Sequence, residues 1–475
     1  MTQLHDLTAL EQGAAIRARE VSPRELVDHY LARIDRLSDE VGAFVTVTGG
    51  QAREHAALVE HRLRSADAEE PLPPLFGVPT ALKDLNMTAG IRTTFGSAAT
   101  ADFVPDVSDE VVLRVEAAGM PSLGKTSTPE FGSPCYTEPD VAPPSRTPFD
   151  LDRMAGGSSG GAAAAVAAGL VPVAQGSDGG GSIRIPASCC GLFGLKPTRG
   201  RISAGPVYGD PVGLGANGPL ARTVRDAAAM LDVMAGPAVG DPFWAPPLPE
   251  GQTFLDACSR DPGRLRVARF STPVITSADV HPECLRAFDD ATRLLEELGH
   301  DVEEIDVPLA ADAVPTFETC WAVLSTLSPV PDETEHLLRP LSRWLRTWGE
   351  AVSGPEFGLA VGEMRRIAAG ALQRLAPYDA VLTPTLAQPP LLVGEIRDDD
   401  DPARDFENQK RFTPFTSAWN VTGMPAASLP LHMTPEGLPV GVMLAARPAQ
   451  EQLLLSLCAQ VETAVPWQDR HPPCW

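Results

Sequence analysis

Three observations predict an α/β layered fold for this chain of 475 residues. Short apolar runs of strand length alternate with helical stripes along the chain. Hydrophobic residues make up 43% and charged residues 21%, the balance of a soluble globular protein. No stretch reaches the roughly 18 uncharged apolar residues that a membrane helix needs, and the most apolar tract, Ala162 to Ala174, is too short.

The first 65 residues read as helices. Ser22-Pro23-Arg24-Glu25 offers a serine cap, a proline at the first helical position and an acid in the first turn. Leu26, Val27, Tyr30, Leu31 and Ile34 then form one helical stripe. A short strand from Ala43 to Val47, a helix from Gln51 to Arg64 and a Pro-rich loop from Glu69 to Pro74 follow. Gly77 to Asp84 reads as a strand ending at Lys83, and Asp109 to Ala118 as an amphipathic helix closed by Gly119. A second short strand leads to Gly124-Lys125-Thr126. Gly156 to Gly200 is dense in Gly, Ser and Ala, with seven glycines from Gly176 to Gly200.

Beyond that tract, Thr223 to Met234 reads as a helix and Gly236 to Gly251 as a Pro-rich loop. Leu265 to Phe270 is a strand, His281 to Leu298 a helix and Val302 to Val307 a strand. Helices dominate Ala311 to Leu375, and Tyr378 to Thr383 is a strand running into a Pro-rich loop. The acidic run Asp398 to Asp401 reads as a solvated surface loop. Strands around Ala427 to Leu429 and Val440 to Leu444 and a helix from Gln450 to Val461 complete the pattern. There is no internal repeat and no clear domain boundary.

A net charge of −24 and a pI near 4.7 argue against nucleic acid or an anionic membrane surface as partner. The first residues lack a basic flank followed by an apolar run, so no secretory signal is read and the cytoplasm is the expected compartment. The eight cysteines are scattered, with no Cys-x-x-Cys pair and no metal spacing. They read as reduced thiols.

The lysines are more informative. Of 38 basic residues only Lys83, Lys125, Lys196 and Lys410 are lysine. A chain that uses arginine for ordinary cations keeps lysine where arginine cannot serve. The clearest such task is losing a proton, which a buried lysine can do and arginine cannot.

Three motifs compete. Gly119 to Thr126 matches a phosphate-loop pattern, but a helix precedes it and the strand lies inside it, the reverse of the order that aims helix N–H groups at a phosphate. Gly156-Gly157-Ser158-Ser159-Gly160 matches a nucleophile elbow, yet Phe149 to Met154 does not read as the required strand. None of the nine histidines has a Gly-rich or strand-end context. The third constellation is more coherent. Gly179-Gly180-Gly181-Ser182 sets a serine on a run without side chains, so successive backbone N–H groups can turn toward one point as an oxyanion hole. With no suitable histidine, the base would be a lysine in a dry pocket, relayed through a second serine, and Lys83 and Ser158 fit those tasks. About one lysine in 10³ is neutral at pH 7, so Lys83 would need its pKa lowered by about three units.

Gly156 to Gly161, Ser177 to Pro186 and Cys190 to Thr198 together resemble the amidase signature. Gly77 to Asp84, Gly124 to Phe131, Tyr378 to Pro384 and Asn420 to Pro430 extend the resemblance through most of the chain. It implies one amidase signature domain over 1–475, a central mixed β-sheet covered by helices on both faces. Its parts would be a helical 1–65, a catalytic core 75–235, a variable substrate-side region 236–375 and a return to the same sheet in 376–475. By resemblance Ser182 is the acyl-forming nucleophile, Ser158, on a cis peptide bond, the relay, and Lys83 the base. The backbone of Gly179, Gly180, Gly181 and Ser182 is the implied oxyanion hole. Gly132, Ser159 and Cys320 are candidate substrate contacts. The family usually carries a side chain at position 179, and Arg146-Thr-Pro-Phe149 replaces its more usual Arg-Asn-Pro-Trp.

The implied activity is hydrolysis of carbon–nitrogen bonds in a small amide, without metal or cofactor, by a monomer or homodimer. Carbamates, urethanes and aryl amides are alternatives, since Thr137-Glu138-Pro139, Arg184 to Ser188 and Gly200 to Ser203 are similar to bacterial amidases that act on nylon oligomers. The A subunit of glutamyl-tRNA amidotransferase is disfavoured, because Arg184-Ile185-Pro186 replaces its usual Arg-Gln-Pro.

Overall fold

The computed structural model describes residues 3–65, 72–207, 209–310, 312–328 and 330–475. Eleven strands form one sheet: β1 (Phe44–Val47), β2 (Thr80–Lys83), β3 (Ser122–Thr126), β4 (Val173–Asp178), β5 (Phe193–Lys196), β6 (Ala216–Ala221), β7 (Arg266–Arg269), β8 (Asp301–Glu304), β9 (Ala380–Pro384), β10 (Ala426–Met433) and β11 (Pro439–Ala446). Their order across the sheet is β1-β3-β2-β4-β6-β5-β10-β11-β9-β7-β8. β2 runs parallel to both β3 and β4, and β7 to both β8 and β9; the other pairings are antiparallel. The sheet is therefore mixed, as expected.

Both faces of its central strands are buried, and the alternation of side chains shows how. Successive residues of a strand point to opposite faces. In β11, Val442, Leu444 and Ala446 enter one apolar cluster while Met443 and Ala445 enter another. β9 divides the same way, with Ala380 and Leu382 on one side and Val381 on the other. The first cluster includes residues of the helices Gly160–Ala167, Val224–Met234 and Glu451–Ala464. The second includes residues of Gly354–Leu375 and Ala418–Thr422.

Elements carrying a clear side-chain pattern form where that pattern puts them. The Pro23–Val41 helix opens with a full capping box, in which Ser22 Oγ accepts from Glu25 N at 3.1 Å and Glu25 accepts from Ser22 N at 2.8 Å. Helices also occupy Ala9–Arg17, Gly49–Ser65, Glu110–Ala117 and Pro282–Glu297. Three more, Ala313–Thr326, Pro340–Ala351 and Gly354–Leu375, fill the region expected to be helical from Ala311, which itself lies outside the described residues. The first half of the Glu69 to Pro74 loop lies outside them too.

The structure adds β4, β5, β6 and the Gly160–Ala167 helix to the Gly/Ser/Ala tract and its flank. The acidic run is a solvated surface loop, as expected, with an internal order of its own. Asp398 accepts from the backbone of Asp400 and Asp401 at 3.2 and 3.0 Å, Asp399 pairs with Arg339 at 3.0 Å, and Asp401 caps the Pro402–Phe412 helix. The run is a built turn that starts a helix, because side-chain oxygens there satisfy orphan N–H groups.

A buried ion pair ties the signature tract to the C-terminal helix. Glu451 is fully enclosed and accepts from Arg201 Nε at 2.9 Å, Arg201 Nη2 at 3.0 Å and Thr198 N at 3.0 Å. Removing one partner strands a charge in a dry interior. Arg201→Ala is expected to cost about 3–5 kcal/mol, read as a fall in the thermal or urea unfolding midpoint.

Candidate active site

Lys83 ends β2, where the strand is flanked by β3 and β4 and its side chain has no exposure. Its backbone N–H donates to Gln175 Oε1 at 2.9 Å, fixing β2 to β4 at that level. Lys83 Nζ lies 2.7 Å from Ser158 Oγ, 3.0 Å from Ser177 Oγ and 3.3 Å from the Ser177 carbonyl. Burial pushes its pKa down to about 7, against the opposing pull of Asp178. Such a lysine gives up its proton near neutrality.

Ser158 stands on a turn whose Gly157–Ser158 peptide bond is cis. The residues before it form no strand, so the elbow pattern has no elbow; the Gly160–Ala167 helix follows directly. Ser159 N donates to the Ser182 carbonyl at 3.0 Å, which stitches the relay turn to the glycine loop. Ser159 Oγ donates to the Ser177 carbonyl at 3.1 Å and accepts from Ser177 N at 3.2 Å. That fully buried side chain braces β4.

The loop from Gly179 to Ser182 is shaped by Asp178. This carboxylate is fully buried, as is its partner Arg184. It accepts from Gly181 N at 2.8 Å, Ile183 N at 3.1 Å, Arg184 Nε at 2.9 Å, Arg184 Nη2 at 2.8 Å and Asn420 Nδ2 at 2.9 Å. Burial alone would raise its pKa, but the Arg184 charge and these hydrogen bonds hold it well below the usual carboxylate range. Thr416 Oγ1 donates to the Gly180 carbonyl at 2.6 Å. Gly181 has φ +136°, and a Cβ there would lie 2.4 Å from Thr416 Oγ1.

Ser182 and Gly180 open onto a cavity of about 770 Å³. Most of its wall is apolar: Ile185, Ile275, Leu309, Val314, Phe317, Trp321 and Phe406, with Cys135 alongside. Burial raises the Cys135 thiol well above its ordinary pKa. The wall also carries one ion pair, Lys410 to Glu318 at 2.6 Å. Burial would lower the Lys410 pKa, but Glu318 and Glu407 raise it, so this lysine stays charged. Phe317 and Trp321 stack at 5.4 Å, and the Trp321 ring closes on Gly179, where an added Cβ would meet it at 3.5 Å. The bare residue at 179 thus lets the indole rest on the loop.

The remaining candidates fall at different distances from this cavity. Gly132 lies against the relay, with its would-be Cβ 3.3 Å from Ser158 Oγ and 2.4 Å from Leu85. Cys320 has no exposure and sits in a cluster with Val212, Leu214 and Met364, while its neighbour Trp321 faces the cavity. The phosphate-loop look-alike is a helix end followed by β3. Its Lys125 is buried against Asp84 at 3.6 Å and Thr93 Oγ1 at 3.0 Å. Sequence reasoning gave no role to Asp178, Arg184, Asn420 or Thr416. The signal for the first was present, since an acid before a glycine run is a common brace for turn N–H groups. All eight cysteines are free, as expected.

The family model described as Amidase matches residues 25–455. The chain belongs to the amidase family. It is 35% identical to the 6-aminohexanoate-cyclic-dimer hydrolase of Paenarthrobacter ureafaciens, an alignment covering 98% of this chain and 96% of that one. It is 34% identical to an acylamidase of Rhodococcus erythropolis, covering 99% and 98%. A solved structure of 6-aminohexanoate cyclic dimer hydrolase superposes with a TM-score of 0.91 at 33% identity, each chain covered completely. Among described residues of this amidase, no cluster of His, Cys, Asp or Glu could hold a metal, and no helix is long and apolar enough to cross a membrane.

The geometry of the loop sets a strict demand at Gly181. Gly181→Ala would drive a methyl into Thr416 and displace the N–H groups beside Ser182. Turnover is expected to fall by about 10²–10³, and the overpacked, strained loop to lower the unfolding midpoint as well, measured by steady-state kinetics and thermal denaturation.

Proposed function

We propose that this amidase hydrolyses amides through an acyl-enzyme on Ser182, with Ser158 as proton relay and Lys83 as base. The observation that carries the reading is the 2.7 Å contact between Lys83 Nζ and Ser158 Oγ in a fully buried site stitched to Ser182. Neutral Lys83 takes the Ser158 proton as Ser158 takes that of Ser182. Ser182 Oγ attacks the carbonyl carbon, and the oxygen gains charge. We assign its stabilisation to the N–H groups of Gly179, Gly180 and Ser182. The N–H of Gly181, a fourth expected donor, is engaged by Asp178 at 2.8 Å and acts as the pivot of the loop. The carbon–nitrogen bond then breaks, and the amine leaves with the proton returned through Ser158. Water, deprotonated by the same relay, attacks the ester and releases the acid. No step calls for a metal or cofactor.

The apolar wall of Phe317, Trp321, Leu309 and Val314 favours substrates with aliphatic or aryl bodies over glutamine. Carbamates and urethanes present the same carbonyl to the same attack. The work on acylamide and cyclic amide bonds named for the two relatives above fits this wall.

Two measurements test the reading. A phosphonate or acyl probe is expected to leave its adduct on Ser182 in peptide mass mapping; an adduct on Ser158 would reverse the two serines. Lys83→Arg keeps charge but cannot take up a proton, so kcat is expected to fall by about 10²–10⁴. In the wild type the active form of Lys83 is neutral, and burial puts its pKa at about 7. The kcat/KM profile should therefore rise with pH through about 7 and level off above it. A flat profile across this range would remove Lys83 as base.

A further inference from the structure

A second cavity, of about 460 Å³, adjoins the first, and Trp321 and Ser133 line both. Its chemistry differs. Ser328, Ser342 and Arg346 bring hydroxyls and one cation into a chamber otherwise bounded by Phe131, Leu324 and Leu345. Arg346 reaches it from the Pro340–Ala351 helix, with 14% of its side chain exposed. Its Nη1 points to the backbone end of the Ala313–Thr326 helix, donating to the carbonyls of Ser325 at 3.3 Å and Ser328 at 3.2 Å. Among described residues, its Nε is buried with no hydrogen-bond partner. Among described residues, the acid within ion-pair range is Glu335, 3.8 Å from Nε and half exposed.

With Nη1 committed to carbonyls and Nε turned toward Glu335, the guanidinium has Nη2 and its charge left for a ligand. A charged N–H donor with the hydroxyls of Ser328 and Ser342 in the same chamber suits a carboxylate. One cation in a chain of net charge −24 does not offset a dianion, which argues for a carboxylate over a phosphate.

Resting on the amide-hydrolase reading above, we propose that this chamber is a carboxylate subsite. A substrate whose amide lies at Ser182 would run its apolar body through the first cavity, past the edge of Trp321, and set a terminal carboxylate on Arg346. The favoured substrates are then amides bearing a free acid at the end remote from the scissile bond.

The test compares free acids with their methyl esters. One series carries the acid on the acyl side, as dicarboxylic monoanilides of increasing spacer length; the other carries it on the amine side, as N-acyl ω-amino acids. Hexanoyl anilide is the neutral reference. Wild type is expected to prefer one acid over its ester by about tenfold in kcat/KM, expressed in KM. Arg346→Gln should abolish that preference, read as the acid-to-ester ratio within the variant so that any general loss on hexanoyl anilide cancels, while Arg346→Lys should retain part of it. Calorimetric binding of the same acids and esters to wild type reads the subsite without turnover and without any variant. Equal binding of acid and ester in both series, or a preference that survives Arg346→Gln, overturns the proposal. Failure to hydrolyse any anilide would instead overturn the function reading and leave the calorimetric comparison to decide the subsite.

Discussion

The buried pair of Asp178 and Arg184 is the constraint on which the site depends. Both side chains are fully enclosed, and burying each ion costs on the order of several kcal/mol unless its hydrogen bonds are complete. Here they are nearly so. The two residues sit at either end of the loop, so their attraction closes it, and two of the acid's bonds come from loop backbone. Asn420 joins from the far half of the chain, donating to Asp178 and accepting from Arg184 Nη2 at 2.8 Å. The pair also governs Lys83 at a distance. Asp178 pulls the Lys83 pKa upward, so a bare carboxylate there would hold the lysine in its charged form. Arg184 balances that negative charge, and desolvation of Lys83 prevails.

Chemistry and selectivity come from different layers of the molecule. The reacting groups stand at strand ends and on a tract so poor in side chains that backbone meets backbone. The cavity wall comes from the Ala313–Thr326 and Pro402–Phe412 helices, which bring Phe317, Trp321, Phe406 and the Lys410–Glu318 pair. Substitutions on those helices can reshape the wall while the loop keeps its hydrogen bonds. This separation is how one fold serves many substrates.

Much of this was legible in the sequence, and the exceptions share a cause. Amphipathic segments such as Pro23–Val41 and Pro282–Glu297 announce themselves because the contrast between apolar and charged side chains has a period. β4, β5, β6 and the Gly160–Ala167 helix do not, because Gly, Ser and Ala carry little contrast and both sides of these elements are buried. The lysine argument was sharper. Lys83, Lys125 and Lys196 are all buried with lowered pKa values, about 7, 8 and 7. Of the three, Lys83 is the one that meets the Ser158 hydroxyl; Lys196 Nζ donates to the Pro197 carbonyl and Lys125 turns to Asp84 and Thr93. Scarcity thus located the lysines with unusual surroundings, and partner geometry separated the proposed base from the other two. The cavity wall was beyond reach, since Phe317, Trp321 and Lys410 meet Ser182 only through tertiary packing.

Cys135 lends the site a further property. Its thiol borders the same cavity as Ser182, and sulfur is intrinsically the better nucleophile once deprotonated. Burial keeps that thiol protonated, with nearby Asp405 adding to the effect. Under the proposed mechanism, a carbonyl entering the cavity therefore faces an activated oxygen and a silent sulfur. The outcome is chemoselective: an oxygen ester that water can open, with no thioester competing for the acyl group beside it.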